Sequence, residues 1–150
     1  MERKIYKELL EWKNSSDRKP LILQGARQVG KTYIVNYFAG KEYSNSVYCN
    51  FEKDDGLRDF FHDLTPGKII KKLSLYKRKE IFQGNTLIIF DEIQALPVRT
   101  IKMFNLAVNF LSSFGEATIV LCSATQPLLD RITECRLNNP GEIVPPNDRH

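Results

Sequence analysis

With 150 residues, 42% of them apolar, the chain has the size of one ordinary domain and enough apolar content for a core, which excludes two full lobes. Its 27% charged fraction and nine phenylalanines exclude disorder, and its net charge of +4 permits an anionic partner without demanding one. No apolar run approaches the ~18 residues of a membrane span, and the start, Met-Glu-Arg-Lys-Ile-Tyr-Lys, has no apolar signal core, so a soluble, cytoplasmic protein without membrane contact is expected.

Within residues 4–13, Ile5, Leu9 and Trp12 share a helical stripe flanked by Tyr6 and Leu10, and Asn14, Ser15, Ser16 and Asp17 end that helix. Pro20 opens the apolar run Leu21-Ile22-Leu23, a buried strand leading straight into a glycine loop. Residues 31–39 read as a helix closed by Gly40, and residues 46–51 as a second strand. The polar stretch 52–85 reads as mostly helical; Pro66-Gly67 breaks it before Ile69, Leu73 and Tyr76 take up helical spacing. Thr86 to Phe90 is the third and most apolar strand. Pro97 starts a helix with Ile101, Phe104, Val108 and Leu111 on one face, and Gly115 closes it. Ala117 to Cys122 reads as a fourth strand, and Pro127 begins a short helix ending near Glu134. In the tail only Ile143 and Val144 suit a final short strand.

Strands alternating with helices imply parallel pairing and helices on both sheet faces. A single α/β domain over residues 1–150 is expected: an N-terminal helix within 1–19, a nucleotide-binding core over 20–137 and an irregular tail over 138–150, with the C-terminus a candidate truncation point. Cys49, Cys122 and Cys135 are odd in number and lack metal-like spacing, so they read as reduced thiols. His62 and His150 are too few and too separated for a metal site or a catalytic triad.

The chemistry starts at the glycine loop. Gly25-Ala26-Arg27-Gln28-Val29-Gly30-Lys31-Thr32 matches the phosphate-loop (Walker A) pattern, with a strand before it and a helix after it. Gly25 and Gly30 let the backbone wrap tightly, so that its N–H groups and the helix start face a polyphosphate. Lys31 is expected on the β- and γ-phosphates, and the Thr32 hydroxyl on Mg²⁺. Arg27 reads equally as a phosphate contact or a solvated loop arginine.

Leu87-Ile88-Ile89-Phe90-Asp91-Glu92 is an apolar strand ending in two carboxylates, an acidic (Walker B) strand. Its C-terminal end is where α/β sheets bind ligands. Asp91 is expected to hold Mg²⁺ through water, and Glu92 to orient and polarise the attacking water, which makes the site hydrolytic. Lys31, Asp91 and Glu92 are thus the catalytic candidates. A glutamate beside the metal aspartate points to a three-layer P-loop NTPase of RecA-like type, with an extra strand between the loop strand and the acidic strand. Strand 117–122 takes that place, giving the order loop strand, 117–122, 86–91, 46–51. Ser123 and Thr125 are then sensor candidates beside the γ-phosphate, and Gln94 a contact to water or a relay of nucleotide state; each is equally well read as a small polar cap of the next turn.

Two resemblances follow from these residues. Residues 1–95, with the Gly-Ala-Arg-Gln-Val-Gly-Lys-Thr loop, Val47-Tyr-Cys-Asn-Phe-Glu52 and Leu87-Ile-Ile-Phe-Asp-Glu-Ile-Gln94, resemble bacterial and archaeal AAA-type ATPases. Residues 86–147, with Asp91-Glu-Ile-Gln-Ala-Leu-Pro97, Phe104-Asn-Leu-Ala-Val-Asn-Phe110 and Val120-Leu-Cys-Ser-Ala-Thr-Gln-Pro127, resemble the helicase core of the CRISPR-associated helicase–nuclease of type I systems. Both families use the same nucleotide-binding sheet, so strands of either half suit one fold. The first resemblance implies an ATPase with ATP and Mg²⁺; the second implies a fragment of a DNA helicase lobe; a nucleotide-binding module without turnover is the third reading.

Lys68, Lys71, Lys72, Lys77, Arg78 and Lys79 form the densest basic cluster. With Tyr76 its only interleaved aromatic, it reads as a solvated helix face, and DNA stays open as a partner through resemblance. Arg99, Arg131 and Arg136 lack the context of a finger arginine, so a second copy or a partner domain is the expected source of that group.

Overall fold

A computed structural model of the chain describes residues 2–15, 20–24, 30–61, 66–81, 86–113, 118–123 and 141–143. Five strands form one sheet: β1 (Leu21–Gln24), β2 (Asn45–Asn50), β3 (Thr86–Asp91), β4 (Thr118–Ser123) and β5 (Gly141–Ile143). Their order is β2-β3-β4-β1-β5, and every pairing is parallel. The strand expected between the loop strand and the acidic strand is therefore there: Val120 is in register with Leu21 on one side and Ile89 on the other.

β3 and β4 are buried at every position, the continuous apolar run of a strand covered on both faces. The covering helices are α1 (Glu2–Lys13), α2 (Lys31–Glu42), α3 (Asp55–Arg58), α4 (Pro66–Lys77) and α5 (Val98–Ser113), with a 3-10 turn over Asp59–Phe61. Pro66 takes the first helical position of α4, where its missing N–H costs no helix bond.

Strand alternation sorts the core into two layers. Ile5 and Leu9 of α1 and Ile34, Val35 and Phe38 of α2 pack on Leu21, Leu23, Leu87, Ile89, Val120 and Cys122. On the opposite face, Ile69 and Leu73 of α4 and Ile101, Phe104 and Val108 of α5 pack on Ile22, Val47, Cys49, Ile88, Phe90, Ile119 and Leu121. The rings of Phe51, Phe61, Phe90 and Phe104 meet at centroid distances of 5.1–6.1 Å, stacked between Phe51 and Phe90 and edge-on elsewhere. Through Phe90 this aromatic knot takes in the last apolar side chain of β3.

Several boundaries move. Gly40 does not close α2, which runs on to Glu42. The last turn is held from outside: Lys13 at the end of α1 donates from Nζ to the Glu42 carbonyl and to Glu42 Oε1, both at 3.0 Å, and Tyr6 donates to Glu42 Oε2 at 3.1 Å. A cation on the last carbonyls stabilises a helix C-terminus beyond a mid-helix glycine. β2 begins one residue before the expected strand, and β4 ends one residue after it. In the tail, read as irregular but for a short strand at Ile143 and Val144, β5 begins two residues earlier, because the outer edge of β1 offers a parallel ladder to Gly141–Ile143. Gly115, the helix expected over 127–134, Cys135, His62 and His150 lie outside the described residues, as does the side chain of Leu111.

Cys49 and Cys122 are buried free thiols; burial pushes Cys49 up to about 12 and raises Cys122 as well, so both stay protonated and behave as small core residues. Among the described residues no helix is long and apolar enough to cross a membrane.

Candidate functional site

The C-terminal ends of β1, β3 and β4 and the start of α2 lie at one edge of the sheet, where ligands of α/β folds bind. β1 delivers the chain to the glycine loop, and Gly30 turns it into α2. Gly30 has φ 74° and ψ 27°, and a Cβ built there meets nothing within 4 Å, so the demand for glycine is conformational rather than spatial. As N-cap, Gly30 supplies no side-chain acceptor to the first turn of α2. Lys31 opens that turn and is buried, with 3% of its surface exposed.

Thr32 follows on the same turn. Its Oγ1 donates to Asp91 Oδ2 at 2.7 Å, joining the loop helix to the end of β3. Asp91 is 1% exposed and accepts two more hydrogen bonds: the Glu92 N–H meets Oδ1 at 2.8 Å, and the Tyr48 hydroxyl meets Oδ2 at 2.5 Å. Burial, and then the bond to Asp91, raise the Tyr48 pKa far above its ordinary value, so the phenol keeps its proton. The hydroxyl and carboxylate oxygens of Thr32 and Asp91 are the donor set Mg²⁺ prefers. Among the described residues no cluster of three His, Cys, Asp or Glu side chains is arranged to hold a metal ion by itself. One carboxylate, one hydroxyl and substrate phosphates together suit Mg²⁺, which seldom has an all-protein cage.

Beside this pair lies a second group. Glu92 has φ 54° and ψ 45°, a left-handed conformation that costs a non-glycine residue about 1–3 kcal/mol and is concentrated at functional sites. Gln94 Nε2 donates to Glu92 Oε1 at 2.8 Å, and Ser123 Oγ, fully buried at the end of β4, donates to Gln94 Oε1 at 3.3 Å.

Of the residues singled out from the sequence, Thr32 and Asp91 meet directly, Lys31 shares a helical turn with Thr32, and Glu92, Gln94 and Ser123 form one hydrogen-bonded chain. Gly25, Ala26, Arg27, Gln28, Val29 and Thr125 lie outside the described residues. Tyr48 and Asn50 of β2 were not anticipated. Their signal was available: Val47 and Cys49 are the inward apolar residues of that strand's α5 face, so Tyr48 and Asn50 project together on the face of α2.

The basic cluster is partly engaged within the fold. Lys77 pairs with Asp54 at 3.4 Å, Lys79 donates to the Ser46 carbonyl at 2.9 Å, and Lys72 lies 5.1 Å from the centre of the Phe60 ring. A groove of about 680 Å³ runs between α1 and α2, starting at Tyr33 and Ile34 and lined further along by Tyr6, Tyr37 and Lys41.

The family model of an AAA domain matches residues 17–139, carrying one domain across both the loop and the stretch beyond residue 95. No curated protein matches the sequence. The ORC1 protein of Aeropyrum pernix, solved in complex with DNA, is similar with a TM-score of 0.61 at 15% identity, covering 95% of this chain and 43% of that one. PCH-2 of C. elegans gives a TM-score of 0.57 at 15% identity over 97% of this chain and 43% of that one. A Walker-type ATPase of Pyrococcus abyssi gives 0.56 at 16% identity over 96% and 53%. The chain thus spans about half, or less, of the length of these solved chains, and at such identities the likeness is one of fold. With the family model covering most of its length and a parallel sheet of the same architecture, the chain belongs to the AAA domain family of P-loop ATPases.

Proposed function

We propose that this domain binds ATP with Mg²⁺ and hydrolyses it. The observation that carries the reading is the 2.7 Å contact between Thr32 and Asp91, which brings the end of the phosphate loop to the end of the acidic strand. In this reading residues 25–30 cradle the phosphates with backbone N–H groups, and the Lys31 ammonium meets the β- and γ-phosphates. Thr32 and Asp91 would hold Mg²⁺, which would supply positive charge to neutralise the phosphates. The purine lies in the groove that begins at Tyr33, whose exposed ring offers a stacking face.

Glu92 orients a water on the γ-phosphorus. The water oxygen bonds to phosphorus, the bond to the bridging oxygen of ADP breaks, and the water proton passes to the Glu92 carboxylate. Gln94 and Ser123 fix the rotamer of Glu92 and sense the γ-phosphate. A second copy or a separate domain supplies the finger arginine, so the isolated chain turns over slowly. Arg99 stands exposed on the first turn of α5, outside the hydrogen-bonded groups above.

Lys31→Ala tests the reading. Titration with a fluorescent ATP analogue is expected to show binding by the parent and none by the folded variant, because the charge opposite the phosphates is gone. Unchanged affinity in a folded Lys31→Ala protein refutes the assigned site. DNA-stimulated phosphate release by the parent would instead favour the helicase-lobe reading, and tight binding without turnover a nucleotide-binding module.

A further inference from the structure

We infer that Tyr48 is a positioning residue for Asp91, setting the carboxylate in the orientation that receives Mg²⁺ before nucleotide arrives; this rests on the ATP–Mg²⁺ reading above. Tyr48 is in register with Ile89, so its ring must reach along the strand direction to meet Asp91, whose own neighbour is Asn50. The reach ends in a 2.5 Å contact to Oδ2, the same oxygen that accepts from Thr32.

The direction of that hydroxyl is fixed from behind. Asn50 Nδ2 donates to the Tyr48 oxygen at 3.3 Å, occupying an acceptor position of the phenol. The Asn50 amide is itself oriented, because its Oδ1 accepts from the backbone N–H groups of Glu52 and Lys53 at 2.9 and 3.0 Å. A phenol has a single proton to give. With an amide donor on one side and a carboxylate on the other, that proton points at Asp91.

The result is a chain of donors running from the turn after β2, through Asn50 and Tyr48, into Asp91. The Glu92 N–H holds the other carboxylate oxygen. Asp91 is thus restrained at both oxygens without any ligand. Outer partners of this kind commonly change metal affinity by about 10–100-fold when removed. Of the loop, Thr32 meets this chain at Asp91 Oδ2 and at the Tyr48 hydroxyl. These are the groups on the metal side, and Lys31, which faces the phosphates in the reading above, is left in place when the phenol is removed, so nucleotide affinity in the absence of the metal is expected to stay unchanged.

Tyr48→Phe separates the two effects, since it keeps the ring and removes only the hydroxyl. A fluorescent ATP analogue is titrated in EDTA and then at increasing Mg²⁺, alongside thermal melts of the parent and variant without nucleotide. The expected result is unchanged affinity in EDTA, an unchanged melt, and a Mg²⁺ midpoint raised about tenfold. An unchanged midpoint in Tyr48→Phe, with a Mg²⁺ effect in the parent, overturns this inference alone. A melt lowered by many degrees assigns the hydroxyl to folding and also overturns it. A parent that binds the analogue without any Mg²⁺ effect overturns the functional reading together with this one.

Discussion

Gln94 bridges Glu92 and Ser123, donating to the carboxylate at 2.8 Å through Nε2 and accepting from the hydroxyl at 3.3 Å through Oε1. An amide has a donor end and an acceptor end, so it can join these two groups in only one orientation. Glu92 is thereby tied to the end of β4, on the strand between the phosphate loop and the acidic strand.

Glu92→Gln is expected to keep ATP binding and lose hydrolysis. The amide nearly matches the carboxylate in shape but is a far weaker proton acceptor. General-base groups contribute about 10²–10⁴-fold to rate, so phosphate release should fall at least about a hundredfold. Parental turnover in the folded variant would remove Glu92 from the mechanism.

Val120→Asp is expected to unfold the domain. Val120 is fully buried between Leu21 and Ile89 in the middle of the sheet. An unpaired carboxylate there costs several kcal/mol, about the scale of a domain's whole stability of ~5–15 kcal/mol. Melting followed by circular dichroism checks this; a variant that melts cooperatively at the parental temperature would place the strand outside the core.

The link between α1 and α2 should weaken in acid. The hydrogen bond from Lys13 lowers the Glu42 pKa below its ordinary value of 4.5, opposed by partial burial and assisted by Tyr6. A carboxylate whose folded pKa is depressed stabilises the fold at pH values above the unfolded pKa, and that contribution is lost as pH falls through the folded value. The melting difference between the parent and Glu42→Gln should therefore be constant near neutrality and shrink below pH 4.5. The pair is solvent-accessible, so high salt should reduce the difference at neutral pH as well. A difference that persists unchanged at low pH would show that Glu42 acts through packing instead of charge.

The sheet was legible because its strands announce themselves by uninterrupted burial. Leu87 to Phe90 and Ile119 to Cys122 admit few readings other than central strands, and a glycine loop behind Leu23 fixed the place of β1. The ends were less legible. α2 passes Gly40 because Lys13, 29 residues earlier, caps Glu42, a contact that local propensity does not contain. The site divides in the same way. Thr32, Asp91 and Glu92 stand in a recognisable spacing, whereas Tyr48 matters only because parallel pairing lays β2 beside β3, and a strand tyrosine carries no motif of its own.

β1 touches no strand that is its near neighbour in the chain. Leu21 pairs with Val120 on one side and with Gly141 on the other. β2 and β3 can zip together as soon as residue 91 has been made, but the strand that presents the phosphate loop waits for the last third of the polypeptide. Such pairings carry the largest loop-closure cost and slow the formation of a sheet. During synthesis, then, the loop sequence leaves the ribosome long before the sheet has a slot to receive it, and a nascent chain halted before β4 leaves Leu21, Ile22 and Leu23 as an unclaimed apolar strand.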